Sequence, residues 1–170
     1  RNYLFRTEKK YDVISSEPSI PTSSPAASLF TKEFFEIASK RLNPGGVMCQ
    51  WLPYYLLTSD DLHMMLKTFG TVFPYTYVWR VNTSNDIIML GSLGPLSFGQ
   101  DEIMERVRNL NRTGYSLEYS LIAGPEHVQK IVQKADVPLN TDDRPKLEFR
   151  IVRNMLTPAE PVENKMPKMK

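Results

Sequence analysis

The sequence predicts an α/β domain built on parallel crossovers, and three observations carry that expectation. Two short β-branched runs, Tyr11–Ser16 and Val47–Leu52, bracket an amphipathic helical stretch. A second helical stripe follows the second run, so the strand-then-helix unit repeats. Two further β-rich runs, Tyr75–Val81 and Asp86–Leu90, are separated by Asn82-Thr83-Ser84-Asn85 and read as an antiparallel hairpin that closes the sheet. At 170 residues, 41% hydrophobic and 24% charged, the chain has the length and composition of one globular domain.

Arg1-Asn2-Tyr3-Leu4 reads as the end of a helix or turn just before a strand. Arg1 to Lys10 are charged and carry no signal-peptide pattern, and the chain reads as a piece of something larger. Tyr11–Ser16 is expected to be a buried strand that stops at Glu17-Pro18, since proline cannot continue a central ladder. Pro18–Ser28, with Pro18, Pro21 and Pro25, is expected to be a loop with no element of its own. Thr31 is placed to cap a helix whose apolar stripe is Phe34, Ile37, Ala38 and Leu42. Lys40 and Arg41 fall in its last turn, and Asn43-Pro44-Gly45-Gly46 ends it. Val47–Leu52 is the second strand. Thr58 and Asp61 then resemble a capping box ahead of Leu62, Met65, Leu66 and Phe69, with Gly70 as the stop. Beyond Gly91 helical segments are expected at about Gln100–Leu110 and Pro125–Ala135. Lys146–Val152 is expected as a strand or a clamp over the core, and the Pro-, Lys- and Glu-rich tail from Thr157 as disordered. The expected division is 1–92 for the α/β part, 93–156 for a helical extension with a final strand, and 157–170 for the tail.

Several function classes are disfavoured by composition. A net charge of +2, with Lys165, Lys168 and Lys170 clustered in the tail, gives no phosphate-tracking stripe, so no nucleic-acid partner is expected. No run approaches the ~20 apolar residues of a membrane span. The single cysteine, Cys49, excludes an internal disulfide and reads as an inert buried thiol. His63 and His127 have neither zinc-ligand spacing nor a nucleophile in readable register, so no metal and no hydrolase triad are expected.

The element order resembles the second half of a Rossmann-like methyltransferase fold, a parallel βαβαβ with a terminal antiparallel pair. The residues are more specific than the topology. Tyr11-Asp12-Val13-Ile14, an acid at Glu17, Pro21, Ser28-Leu29-Phe30-Thr31, Phe34-Phe35 and Leu42-Asn43-Pro44-Gly45-Gly46 resemble the spermidine/spermine synthase family in order and spacing. The resemblance covers roughly Arg1 to Ser92. Ser15-Ser16-Glu17-Pro18-Ser19, Gln50-Trp51-Leu52 and Thr141-Asp142-Asp143-Arg144-Pro145 resemble a bacterial subgroup in which such a domain is often fused to a transmembrane region.

That resemblance implies a transferase moving an aminopropyl or related group from decarboxylated S-adenosylmethionine or S-adenosylmethionine to a small-molecule amine. It also implies a homo-oligomer and a cytoplasmic location, at the inner face of a membrane where an upstream membrane domain is present. The family carries two aspartates in the loop after the first strand of this part. The proton acceptor falls on Glu17, and the polyamine-binding one falls on Ile20, which cannot pair with an ammonium group. The Leu-Phe-Thr run would bring Leu29 against the cosubstrate. The glycine-rich nucleotide turn and the ribose-binding acid of such a fold would lie upstream of Arg1, so this chain is expected to hold no cofactor by itself.

Read by position, Glu17 is either a general base at the carboxyl end of a parallel strand, where open α/β sheets bind ligands, or a loop acid capping a helix. Gln50, Trp51, Tyr54 and Tyr55 lie at and after the next strand end, where they either line a substrate pocket or pack. Asp142-Asp143-Arg144 reads as a turn with a local ion pair. A non-catalytic regulatory or membrane-tethered domain that kept the fold and lost the polyamine site is the alternative.

Overall fold

The computed structural model describes residues 1–81, 84, 86–97, 105–106, 108–109 and 119–157. Its elements are α1 (Asn2–Arg6), β1 (Tyr11–Ser16), α2 (Ser24–Ala27), α3 (Lys32–Ser39), β2 (Leu42–Leu52), a 3₁₀ turn (Tyr54–Leu56), α4 (Ser59–Val72), β3 (Tyr75–Val81), β4 (Asp86–Ser92), β5 (Tyr119–Ala123), α5 (Pro125–Lys134) and α6 (Lys146–Leu156). The strand order is β1-β2-β4-β3-β5. β1 and β2 are parallel, while β4 runs antiparallel to both β2 and β3. The hairpin therefore folds its second strand back between β2 and β3, and all the sheet's antiparallel pairs lie beyond the β1–α3–β2 crossover.

Period-two burial sets the sheet. Ile14, Met48, Leu52, Val78, Ile87 and Met89 are buried, while Val13, Cys49, Trp51, Trp79 and Ile88 on the other face are partly or largely exposed. Against the buried face α3 and α4 set a ladder of rings. Phe35 meets Phe69 edge-on at 4.9 Å, and Phe69 meets Phe73 at 4.8 Å. Gly91 on β4 leaves room for that ladder, since a Cβ there would lie 2.5 Å from the Phe69 ring.

Several expectations are corrected. The Ser/Pro loop contains the short helix α2, because Pro25 sits in the first turn, where its missing N–H costs nothing. α3 ends at Ser39, and Leu42 is the first residue of β2. Asn43 to Gly46 fall inside the strand: Tyr11 pairs with Leu42 and Val13 with Val47, so the four residues loop out opposite Asp12. The Asn43 amide donates to Asp12 Oδ1 at 2.8 Å, and Gly45 takes the left-handed φ of 78° that the loop needs. Gly70 does not stop α4; it admits α5, since a Cβ there would lie 2.7 Å from Val128 Cγ1. β4 runs on to Ser92, and β5 is a fifth strand the sequence did not announce. Lys146–Val152 belongs to a helix, α6, whose Leu147 and Ile151 share the core with the sheet. The helix expected at Gln100–Leu110 lies largely outside the described residues, as does the tail after Thr157.

Tyr11–Ser16 forms the expected strand, but at the end of the strand order and mostly exposed rather than buried, with Val13 at 62% exposure; both helix caps hold. Thr31 caps α3 through a bond from Phe34 N, and Thr58 and Asp61 form a capping box on α4. Residues 141–144 form the expected turn, closed by Arg144 N donating to Thr141 O at 3.1 Å. Its ion pair is long-range: Asp142 pairs with Arg1 and not with Arg144.

Candidate functional site

The parallel pair positions the site. β1 ends at Ser16, which lies opposite Gln50 of β2, and Glu17 is the next residue, exposed at the carboxyl end of the strand. Ser16 shares the buried face with Gln50, while Glu17 follows the alternation to the exposed face of Val13, Ser15 and Cys49 at the same end of the sheet. The Gln50 side chain is fully buried. Its amide nitrogen donates to Trp51 O at 3.0 Å, but its Oε1 has no donor among the described residues. A buried acceptor left open costs about 1–3 kcal/mol, so the sheet is less stable here than it could be. An amide oxygen accepts hydrogen bonds, and a primary amine or ammonium supplies them.

Glu17 acts across the β1–β2 pair on Cys49. The Cys49 thiol is pushed up chiefly by burial; the Ser15 hydroxyl pulls it down, and the Glu17 charge raises it again. A thiol held protonated is a poor nucleophile, so Cys49 fits a packing role.

The other expected site residues divide by burial. Trp51 is half-exposed on the opposite sheet face, one step past Gln50. Tyr54 is in the core at 3% exposure, with the Arg80 guanidinium 5.5 Å from its ring centroid, so its face is occupied by a cation from β3. Ile20 and Leu29 are partly buried and pack against the core cluster. The β1–β2 pair thus puts Glu17 and Trp51 at one end of the sheet on the exposed face and Gln50 on the buried one, and Tyr54, Ile20 and Leu29 pack with the core.

One acceptor escaped the sequence reading. Asp86 starts β4 one step beyond the Leu52–Ile87 pair, and its buried Oδ1 also lacks a donor among the described residues. It lies at the same end of the sheet, on the face away from Gln50. His63 and His127, distant in sequence, line one groove between α4 and α5 with Asp60 and Asp136. Among the described residues no three His, Cys, Asp or Glu side chains gather as metal ligands, and no helix is long and apolar enough to cross a membrane.

Comparison with known proteins identifies the family of the fold. The profile of the spermine/spermidine synthase domain matches residues 1–88. The polyamine aminopropyltransferase of Methanocaldococcus jannaschii is 29% identical over 144 residues, covering 78% of this chain and 49% of that protein. The spermine synthase of Arabidopsis thaliana is 38% identical over 77 residues, covering 42% of this chain and 20% of that protein. A probable spermidine synthase from Corynebacterium glutamicum superposes with a TM-score of 0.52 at 20% identity, over 81% of this chain and 50% of that one. That likeness establishes the Rossmann-like fold. The chain spans about half the length of the archaeal relatives it matches.

Proposed function

The chain belongs to the spermine/spermidine synthase family, and from that premise we propose that it supplies the acceptor-amine side of an aminopropyl transfer with Glu17 as general base. The amine nitrogen attacks the carbon bonded to the sulfonium of decarboxylated S-adenosylmethionine. A C–N bond forms, the C–S bond breaks, and its electron pair stays on sulfur as 5′-methylthioadenosine leaves. The nitrogen's surplus proton passes to the Glu17 carboxylate. Only a neutral amine has the lone pair this needs, so a carboxylate within reach of the nitrogen contributes both orientation and a proton acceptor.

The observation that carries the reading is the place of Glu17, exposed at the carboxyl end of a parallel strand where open α/β sheets bind ligands, with the open Gln50 Oε1 on the neighbouring strand. A buried acceptor with no donor suits a site whose ligand brings the N–H. Trp51 would wall the acceptor's carbon chain, and Leu29 would lie toward the donor.

Ile20 favours a second reading, a non-catalytic binding domain, because it packs on the core where the family places a second carboxylate. The two readings separate in one experiment: the full-length gene product is incubated with decarboxylated S-adenosylmethionine and a panel of mono-, di- and triamines, and products are followed by mass spectrometry. Transfer to any amine supports the enzyme. No product with any of them overturns it in favour of the binding domain.

A further inference from the structure

We infer that Asn140 is a positioning residue for the donor side of the site: together with Asp142 it clamps the segment between β1 and α3, residues 17–31, so that Leu29 is held toward the donor. The inference rests on the donor-side reading of Leu29 given above. Asn140 is fully buried, and both ends of its side chain are used. Its amide nitrogen donates to Phe30 O at 3.0 Å, and its Oδ1 accepts from Leu147 N at 3.0 Å. A flipped amide would set oxygen against oxygen at Phe30 and N–H against N–H at Leu147, so the side chain has one working orientation. The backbone of Asn140 is held as well. Its N–H donates to the Thr68 hydroxyl at 2.9 Å, and its carbonyl accepts from Lys32 N at 2.9 Å. One residue thus joins the end of the loop and the starts of α3 and α6 to α4.

Asp142 supplies a second grip on the same segment. Arg1 Nη1 donates both to Asp142 Oδ1 at 2.8 Å and to Ser28 O at 3.0 Å, so the carboxylate reaches the loop through the guanidinium. The Asp142 N–H donates to Glu33 Oε2 at 2.9 Å in the first turn of α3. The carbonyls on either side of Leu29 are therefore both taken, Ser28 O by Arg1 and Phe30 O by Asn140. Earlier in the segment, the Ser24 hydroxyl donates to Glu148 Oε1 at 3.1 Å. A binding wall that is ordered before the ligand arrives gains affinity, because the cost of ordering it has already been met. Asn140 and Asp142 lie more than 100 residues downstream of Leu29 and act on it through its backbone neighbours.

The test measures 5′-methylthioadenosine binding to the full-length gene product by calorimetry, with donor KM and kcat on the same proteins. Asn140→Asp keeps the acceptor for Leu147 N and removes the donor to Phe30 O. It should weaken 5′-methylthioadenosine about tenfold and raise donor KM by the same factor, with kcat at saturating donor within about threefold, because bound donor restores the ordered loop. Asp142→Ala frees Arg1 without touching the core. It should weaken binding about threefold, since the link is partly exposed, and Asp142→Glu should recover most of the loss by keeping the pair with Arg1. Val128→Ala, in the contact between α4 and α5, should lower the melting temperature without changing affinity, which separates loss of the clamp from loss of stability. Unchanged affinity in Asn140→Asp or in Asp142→Ala overturns the inference and leaves the donor reading standing, as does an equal loss in Val128→Ala. A wild type that binds no 5′-methylthioadenosine overturns the donor reading, and this inference with it.

Discussion

Gln50 is buried with its carbonyl oxygen open, and in the proposed reading that single atom sets stability against amine binding. Gln50→Met keeps the volume and removes the unpaired acceptor, at the cost of one bond to Trp51 O. Unfolding free energy should stay within about 1 kcal/mol of wild type or rise. Amine affinity should fall about tenfold in the full-length gene product. Urea unfolding and acceptor KM check the pair of effects, and a variant that loses stability with KM unmoved would return Gln50 to a packing role. Ile20 makes the complementary case. Ile20→Asp should improve use of diamines over monoamines, because it adds one charge-assisted bond to a distal ammonium group. It should also lower stability by about 1 kcal/mol, because Ile20 packs on the core. Glu17 was legible in the sequence because a strand-end acid is a local feature. Gln50's open acceptor was not, because it depends on what fails to lie opposite a buried amide. Tyr54 read as a pocket residue; its burial under Arg80 depends on a strand 26 residues downstream.

Among the elements α6 depends most on one buried carboxylate. Burial alone would raise the Asp61 carboxyl, but the Thr58 hydroxyl and backbone N–H, the Asn154 amide and the Arg150 guanidinium outweigh it and hold it below the usual range. A carboxyl depressed in the folded state contributes stability above its unfolded value of about 3.9, and that contribution is lost as pH falls through the folded value. Acid should therefore loosen α6 from the start of α4. Asp61→Asn should cost about 3 kcal/mol near neutral pH, at the low end for a broken buried pair because Arg150 keeps some solvent contact. It should also flatten the dependence of stability on pH below about 4. Urea titrations from pH 3 to 7 give both numbers, and equal slopes for the two proteins would contradict the assignment. The capping half of this network, Thr58 with Asp61, was visible in the sequence as a spacing of three. The rest was hidden because Leu147, Phe149 and Ile151 alternate with polar residues, which reads as a strand. Tertiary anchors at Asp61 and Asn140 decide for the helix; Asn140 Oδ1 accepts from Leu147 N at 3.0 Å.

At the scale of the molecule, the crossover that makes the site was the most legible feature. Strand, capped helix and strand follow one another in sequence, and their parallel pairing needs no distant residue. The insertion of β4 between β2 and β3, and the addition of β5, were not legible, since strand order beyond a hairpin depends on which edge is free. The order places β1 at an edge, with Glu17 at its carboxyl end and Gln50 inside the next strand. The central claim is that this carboxylate takes the proton from an attacking amine, and the rate of aminopropyl transfer by the full-length gene product carrying Glu17→Gln tests it most directly. Glutamine keeps the shape and the hydrogen bonding but cannot accept the proton. Turnover should fall by about 10²–10⁴-fold with donor affinity little changed, and Glu17→Asp should keep part of the rate. Full activity in the Glu17→Gln protein would contradict the account.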